Sequence, residues 1–536
     1  MLVAREITVQ RGGRLVLDAV SLTVGAGQRV GIVGPNGIGK TTFLRVLAGI
    51  DEPDAGRVER APASLSVGYL PQEPDARPEE LLLDYLARRT GVQDASTALD
   101  HLTVALADDP DRLDAYTEAL ERFLALGGDD LEVRAAVVCA DLGLPADRLG
   151  IPVGALSGGQ AARAALAVIL LARFDVLLLD EPTNDLDFVG LERLERFVRD
   201  TPSTVVAVSH DREFLDGAVE RILEIEEHTH RAVEYAGGWS DYVAARELVR
   251  GQQSEAYEKY QSERRALATR AQTQRSWSEQ GVRAVRRSGE TDKFIRHKNK
   301  QSSEKQAAKA KQTDKARERL EARAVDKPWE GWQLDLVFDT GERSGAVVAR
   351  LTDALVHRGA FTLGPVNLEI EWQDRLAIVG PNGSGKTTLL RTLLGQQSLD
   401  GGSRWVGPGV RFGTLDQARS VLATDGPLLD AFCARTGLLM TEARSQLAKL
   451  GLDADAGSRP PTVRSPGERS RAILAALAAA ESNCLVLDEP TNHLDLPAIE
   501  QLEAALDGYT GTLLLVTHDR RLLEAVDLTR TLELTL

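Results

Sequence analysis

Cysteine is nearly absent from this sequence, with three in 536 residues. Isolated and odd in number, Cys139, Cys433 and Cys484 exclude a disulfide framework or a thiolate metal site as the organising element. They are expected as buried free thiols of a reducing compartment. Long apolar runs are missing as well. Stretches such as AALAVILLA at 164–172 fall far short of the roughly 20 residues that cross a membrane. The opening MLVAREITV has no basic segment followed by a hydrophobic one, so no secretory signal is expected, and the cytoplasm is the expected location. Nor is there a basic balance. Against 80 Asp+Glu stand 64 Lys+Arg, a net of −16, which argues against nucleic acid coating the whole surface, although an average can hide a local patch. With 43% apolar and 27% charged residues the composition is that of a globular protein, and the length asks for two or three domains.

What is present is written twice. LDEPTNDLDF at 179–188 returns as LDEPTNHLDL at 487–496. In the same order GPNGIGKTT (34–42) returns as GPNGSGKTT (380–388), YLPQ (69–72) as TLDQ (414–417), LSGGQ (156–160) as RSPGE (464–468), and VVAVSHDREFL (205–215) as LLLVTHDRRLL (513–523). The offset is 346 residues at the glycine phrase and 308 at the acidic one, so the first copy carries about 38 extra residues between Gln72 and Ser157. This is a duplicated domain with an insertion in its first copy.

Each glycine phrase follows a β-rich run (VGIV, LAIV) and precedes a helical pattern. Strand, glycine loop and helix make a P-loop of G-x-x-x-x-G-K-[ST]. Its backbone amides and the helix N-terminus bind phosphate. The candidate residues are Gly34, Pro35, Asn36, Gly37, Ile38, Gly39, Lys40, Thr41 and Thr42 in the first copy. In the second they are Gly380, Pro381, Asn382, Gly383, Ser384, Gly385, Lys386, Thr387 and Thr388. Lys40 and Lys386 are expected on the β- and γ-phosphates, and Thr41 and Thr387 on Mg²⁺. VLLLDE (176–181) and CLVLDE (484–489) read as buried strands ending in two acids beside the P-loop. Asp180 and Asp488 then belong to Mg²⁺, and Glu181 and Glu489 to the attacking water. His210 and His518 end β-rich runs in register after those acids and are expected to contact the γ-phosphate.

With LSGGQ among these phrases, the order resembles the ATP-binding cassette superfamily. The resemblance implies a head-to-tail pair in which each ATP lies between one P-loop and the other copy's signature. It also adds Gln72 and Gln417 to the Mg²⁺ ligands. Ser157, Gly158, Gly159 and Gln160 then serve Lys386, while Ser465, Gly467 and Glu468 serve Lys40. The second signature departs from the pattern. Pro466 has no N–H to offer a phosphate, yet Ser465 to Glu468 still spells a capping box, so a helix is expected to start there. Unequal turnover of the two sites is expected. Arg11 and Arg358 stand where an adenine-stacking aromatic belongs.

Between the copies, residues 240–325 contain no proline and hold 21 Lys+Arg against 12 Asp+Glu, a net of +9 that leaves −25 for the rest. Tyr242, Val249, Ala256, Tyr260 and Leu267 space out a coiled-coil seam. A break near Ser288–Gly289, capped by Thr291 or Asp292, and a stop at Pro328 give two helices, each arm roughly 55–65 Å long. Basic residues crowd the turn (Arg283, Arg286, Arg287, Lys293, Arg296, Lys298, Lys300), with Trp277, Phe294 and His297 interleaved. That mixture suits structured RNA.

Two cassettes, LDEPTN-x-LD after both acidic strands, SPGER in the second half and a charged helical linker resemble the ABC-F family. The fold class expected is α/β: two tandem P-loop ATP-binding cassette domains joined by a long α-helical hairpin linker. The domains are 1–239, with a helical arm insertion at about 94–145, then the basic linker 240–328, then 329–536. The resemblance implies a Mg²⁺-dependent ATP hydrolase and a monomer whose cassettes pair internally. It implies binding to the ribosome, on ribosomal RNA and tRNA near the exit site, with the linker directed at the peptidyl-transferase centre. Family members act as translation factors or in antibiotic ribosomal protection. The other readings are the ATPase subunit of a drug exporter with separate membrane subunits and a DNA-repair cassette ATPase.

Overall fold

A computed structural model of the chain describes all residues except 72–76, 288–292, 328–335, 339, 360, 416–425, 450–451, 453–465, 481, 493 and 536. It forms two compact units, Met1–Asp241 with Trp332–Leu536, and Tyr242–Gly331. Both copies of the repeat lie in the first.

In each copy a mostly parallel sheet carries the chemistry. In the first copy the strand order is Val67–Leu70, Val176–Asp180, Thr204–Val208, Arg29–Val33, Arg221–Ile225 and Ala232–Ala236. All neighbours run parallel except the last pair. The apolar runs VLLLD and TVVAV are buried along their whole length, as strands covered on both faces must be. In the second copy the order is Phe412–Leu415, Cys484–Asp488, Thr512–Val516, Arg375–Val379 and Arg530–Glu533, all parallel. A three-stranded antiparallel sheet accompanies each, built on Leu2–Arg11 and on Val347–Arg358.

This order brings three catalytic segments to one edge. The P-loop, the switch histidine and the acidic pair all leave the C-terminal ends of neighbouring strands, where ligands of open α/β sheets collect. The acidic strand is not next to the P-loop strand, because the strand that leads to the histidine lies between them. The insertion folds as helices Val92–Asp108, Leu113–Ala125 and Leu131–Asp141, the first two packed on each other. Cys139 and Cys484 are buried free thiols, whereas Cys433 is only half-buried.

The second unit consists of helices Trp239–Arg287, whose first turn belongs to the other unit, and Lys293–Glu321. The break expected near Ser288, Gly289, Thr291 and Asp292, and the stop at Pro328, lie outside the described residues. The helices are not equal arms of 55–65 Å. At 49 and 29 residues they measure about 74 and 44 Å. The expected seam is also corrected. Tyr242, Tyr260 and Leu267 of that seam are buried or half-buried, but Val249 and Ala256 are exposed, and Tyr257, Ala271 and Gln274 extend the packed face. Buried Thr313 donates to Gln274 Oε1 at 2.9 Å. That antiparallel register places Glu321 roughly opposite residue 266 of the first helix.

Candidate active sites

Both P-loops need glycine where they begin. Gly34 and Gly380 each have φ 151°. A Cβ would lie 2.8 Å from Ile225 O in one and 2.3 Å from Leu534 O in the other, too close for any side chain. Past the loops, Lys40 starts helix Lys40–Ala48 and Lys386 starts Lys386–Leu394. Each ammonium turns back onto its own loop. Lys40 Nζ donates to Gly34 O at 2.7 Å and Pro35 O at 3.1 Å, and Lys386 Nζ to Gly380 O at 2.7 Å and Pro381 O at 3.2 Å. Burial pulls both lysines below their ordinary pKa. Glu181, Asp495 and Asp180 oppose it for Lys40, and Glu489, Asp187 and Asp488 for Lys386.

The acidic pairs sit where the sequence expectation put them relative to the loops. Thr387 Oγ1 donates to Asp488 Oδ2 at 2.8 Å, and Thr41 hydrogen-bonds Asp180. Asp180 also accepts from Tyr69 Oη at 3.1 Å, where the second copy has Thr414. Glu181 and Glu489 have φ 51° and 50°, a left-handed conformation that costs a non-glycine residue of order 1–3 kcal/mol. Backbone bonds hold them there: Glu181 N donates to Val208 O at 2.9 Å, Glu489 N to Val516 O at 2.8 Å. Strain kept at the same residue twice fits a functional position.

Behind them the histidines close in. His210 Nε2 lies 3.0 Å from Glu181 Oε1, and His518 Nε2 lies 3.4 Å from Glu489 Oε1, both without hydrogen-bond alignment. The two glutamates differ. Burial works against the Glu181 carboxylate, but His210 and Lys40 outweigh it and hold it below its usual pKa. Glu489 is pushed up to about 8 by burial and by the adjacent Asp488. His518 is pushed down to about 4 by burial and by Lys386. Among the described residues, Asp180 Oδ1, Glu181 Oε2 and Ser384 Oγ are buried with no hydrogen-bond partner. Buried acceptors do not stay unsatisfied cheaply. At the mouths of the two P-loops they fit a divalent cation at Asp180 and a water at Glu181 in the first copy, and a phosphate at Ser384 in the second.

The copies meet across these sites. Ser157 caps helix Gly158–Leu171, with Gln160 completing a capping box. That helix faces the opposite P-loop. Arg163 donates to Asn382 O at 2.9 Å, and a Cβ at Gly159 would lie 3.2 Å from that of Asn382. Asn382 N donates to Asp187 Oδ2 at 2.9 Å, and its side-chain amide to Asp185 O at 2.8 Å. Reciprocally, Asn36 N donates to Asp495 Oδ2 at 3.1 Å. Phe188 sets its ring edge-to-face with His518, centroids 5.1 Å apart at 77°. A cavity of about 750 Å³ runs through this interface, lined by Gly158, Glu181, Asn382, Lys386, Glu489 and His518 among others.

Gln72, Gln417 and Ser465 lie outside the described residues. Gly467 and Glu468 fall in helix Pro466–Ala479, which starts at the proline as expected. Arg11 is engaged by Asp51 at 3.3 Å. Arg358 lines the cavity together with Phe361, whose ring tip lies where a Cβ at Gly385 would be 2.7 Å away; Val16 takes that place at Gly39. The cross-cassette residues Asp187, Asp495, Phe188 and Arg163, and Phe361, went unread in the sequence. For the first three the signal was there, in the tail of the repeated ten-residue phrase.

Two P-loop sheets, each closed by the other's acidic loop, define a tandem ATP-binding cassette ATPase. The family described as "ABC transporter" matches residues 17–184 and 363–492. The chain is 34% identical to the tylosin resistance ATP-binding protein TlrC of Streptomyces fradiae, over 96% of this chain and 94% of that protein. It is 32% identical to the energy-dependent translational throttle protein EttA of Mycobacterium tuberculosis, over 97% and 89%. With ABC transporter F family member 5 of Arabidopsis thaliana it shares 31% identity over 96% and 72%. Among solved structures, the archaeal ribosome recycling factor aABCE1, in complex with the stalk protein aP1, matches with a TM-score of 0.56 at 20% identity, over 98% of this chain and 87% of that one. The chain belongs to the ABC-F family of ATP-binding cassette proteins. It hydrolyses ATP. Among the described residues no helix is long and apolar enough to cross a membrane.

Proposed function

We propose that this protein is a cytoplasmic, monomeric ABC-F ATPase that binds the ribosome when ATP closes its cassettes and acts on the peptidyl-transferase region through residues 240–328. The observation that supports it most is the reach of the similarity. Relatives named for translational throttling and tylosin resistance match about 96–97% of the chain. That span includes the basic linker, which the cassette family match does not cover. Both names point to one machine, so throttling and drug protection remain two uses of the same reading. Its contacts would be ribosomal RNA and tRNA near the exit site, with the basic turn supplying phosphate neutralisation.

In the chemistry proposed, Lys40 and Lys386 leave their loop carbonyls for the β- and γ-phosphates. Glu181 and Glu489 take a proton from a water as its oxygen bonds to the γ-phosphorus and the bond to the β-phosphate bridge breaks. His210 and His518 steady the γ-phosphate. Mg²⁺ would be held by Thr41, Gln72 and Asp180, and by Thr387, Gln417 and Asp488, and would supply positive charge to the phosphates. Ser157, Gly158, Gly159 and Gln160, with Ser465, Gly467 and Glu468 opposite, complete the γ-phosphate shell from the other cassette.

The test is co-sedimentation with ribosomes. A Glu181→Gln/Glu489→Gln protein in ATP should pellet with them, and in ADP should not. Adding Arg286→Glu, Arg287→Glu and Lys293→Glu should weaken that binding and flatten its salt dependence, and the same three changes in the protein with both glutamates intact should leave ATPase activity without ribosomes unchanged. A trapped protein that stays in the supernatant would sink the ribosome reading.

A further inference from the structure

Behind the switch histidines lies a second set of cross-cassette contacts that touches no nucleotide-binding residue. Arg212, two residues after His210, reaches Glu503 of the other cassette with both terminal nitrogens, Nη1 to Oε2 at 3.0 Å. Asp519 lies 3.9 Å from the same guanidinium. The pair is nearly sealed, with side chains 9% and 13% exposed. Shifted by the 308-residue repeat, Arg212 becomes Arg520 and Glu503 becomes Glu195. Arg520 Nη1 donates to Glu195 Oε1 at 3.1 Å.

These glutamates sit on the helices Phe188–Asp200 and Leu496–Asp507. The same helices begin at Asp187 and Asp495, the residues that reach the opposite P-loop. Each helix is therefore pinned to the other cassette at two points about two turns apart, once on the P-loop and once behind the histidine.

A third contact falls on the pseudo-twofold axis itself. Arg521 Nε donates to Glu213 Oε1 at 2.9 Å, and its Nη2 to Asp216 Oδ2 at 3.3 Å. Asp216 also accepts from Ser240 at the start of the linker helix. Positions 213 and 521 are the same position of the repeat. On a true twofold axis a residue meets its own copy, so two first cassettes would set Glu213 against Glu213. Duplication has let the two positions carry opposite charges.

We propose that this cluster is the pivot on which the cassettes open and close, that Arg212 and Arg520 are its positioning residues, and that the unlike pair Glu213–Arg521 fixes the partner of the first cassette as the second. The physical ground is cost. Separating a buried Arg–carboxylate pair leaves charges unpaired and is strongly resisted. The P-loop ends of the strapping helices can then swing away while the other ends stay in place.

The experiment uses the full-length protein carrying donor and acceptor dyes on the two cassettes, with ATPase kinetics measured alongside. Arg212→Glu and Glu503→Arg should each lower energy transfer before nucleotide is added. Each should raise the KM for ATP at least about tenfold, which is less than the full cost of breaking a buried charge pair, with kcat within about twofold. The double exchange should return KM to within about threefold of the parent, because the attraction is restored with its direction reversed. If Arg212→Glu does not fold, Arg521→Glu and its exchange with Glu213, on a more exposed pair, carry the same expectation. Three results would overturn the pivot: single reversals with parental transfer and KM, a loss confined to kcat, or exchanged pairs that fold with parental melting yet recover nothing.

Discussion

The two nucleotide sites are built from one repeated sequence and are not alike. At the site of Lys386, the loop asparagine Asn382 is met by Asp187, Asp185 and Arg163, and His518 has the ring of Phe188 against it. The signature helix facing that loop begins with an intact Ser157 capping box. At the site of Lys40, Asn36 meets Asp495, which Leu496 follows in place of a phenylalanine, and the helix of the second signature begins at Pro466, which has no N–H. The glutamates also differ in electrostatics, Glu181 held low and Glu489 pushed high. A duplicated domain keeps its glycines and acids where backbone and phosphate geometry allow nothing else. It diverges where the partner copy, rather than the nucleotide, sets the environment.

The largest expected effect removes the comparison altogether. Changing Glu181 and Glu489 together to Gln takes away both proposed bases and should lower steady-state hydrolysis by about 10²–10⁴-fold. ATP binding should persist, since the P-loops are untouched, and closed cassettes should accumulate. Near-parental turnover of the double variant, followed by phosphate release, would show that neither glutamate acts on the water.

Much of this was legible in the sequence because the phosphate-binding parts are local. GPNGIGKTT and GPNGSGKTT specify loop, helix start and lysine within nine residues, and the buried strands before the acids are continuous apolar runs. What was not legible depends on distant chain. The strand of His210 sits between those of Lys40 and Asp180 because of sheet order, which no motif spells out. The linker seam held at Tyr242, Tyr260 and Leu267 but not at Val249 and Ala256, because heptad spacing does not say which stretch of a helix is covered. Asp187 and Asp495 lay inside a phrase that was read for its acids, and only packing shows that their carboxylates cross to the other cassette.

A smaller effect ranks the sites. With the intact signature and the ring of Phe188 against His518, the site of Lys386 should carry more of the turnover. Glu489→Gln should therefore cost several-fold more activity than Glu181→Gln, on the order of threefold to tenfold, or about 0.7–1.4 kcal/mol in barrier. Equal residual rates in the two single variants would mean that Pro466 and the missing N–H do not matter.

Measured against pH, the same two variants sharpen the contrast. A base must be ionised to accept a proton. Glu489, with its pKa near 8, is largely protonated below that pH, so the activity left in Glu181→Gln should climb as pH rises through it. Glu181 is held low and is already ionised, so the activity left in Glu489→Gln should be nearly flat over the same range. Both sites would bind the same ions under the proposed chemistry, and the effects of those ions largely cancel in the difference. Parallel profiles would remove the electrostatic distinction between the glutamates.

The smallest effect concerns one ring. The repeated phrases end differently, with Phe188 against His518 in one site and Leu496 in the equivalent place of the other. Phe188→Leu makes the first phrase end like the second while keeping an apolar side chain of similar size. It removes an edge-to-face contact, and such aromatic pairs are worth about 0.5–1.5 kcal/mol beyond the area they bury. His518 would then be less firmly held. In the Glu181→Gln background, where the site of Lys386 works alone, Phe188→Leu should lower kcat by about twofold to fivefold. In the Glu489→Gln background, where the other site works alone, it should change little, since the ring does not reach His210. Melting temperature serves as the control, because a purely structural loss would depress both backgrounds equally. An equal fall in the two backgrounds would make Phe188 a packing residue of the interface and erase its part in the asymmetry of the sites.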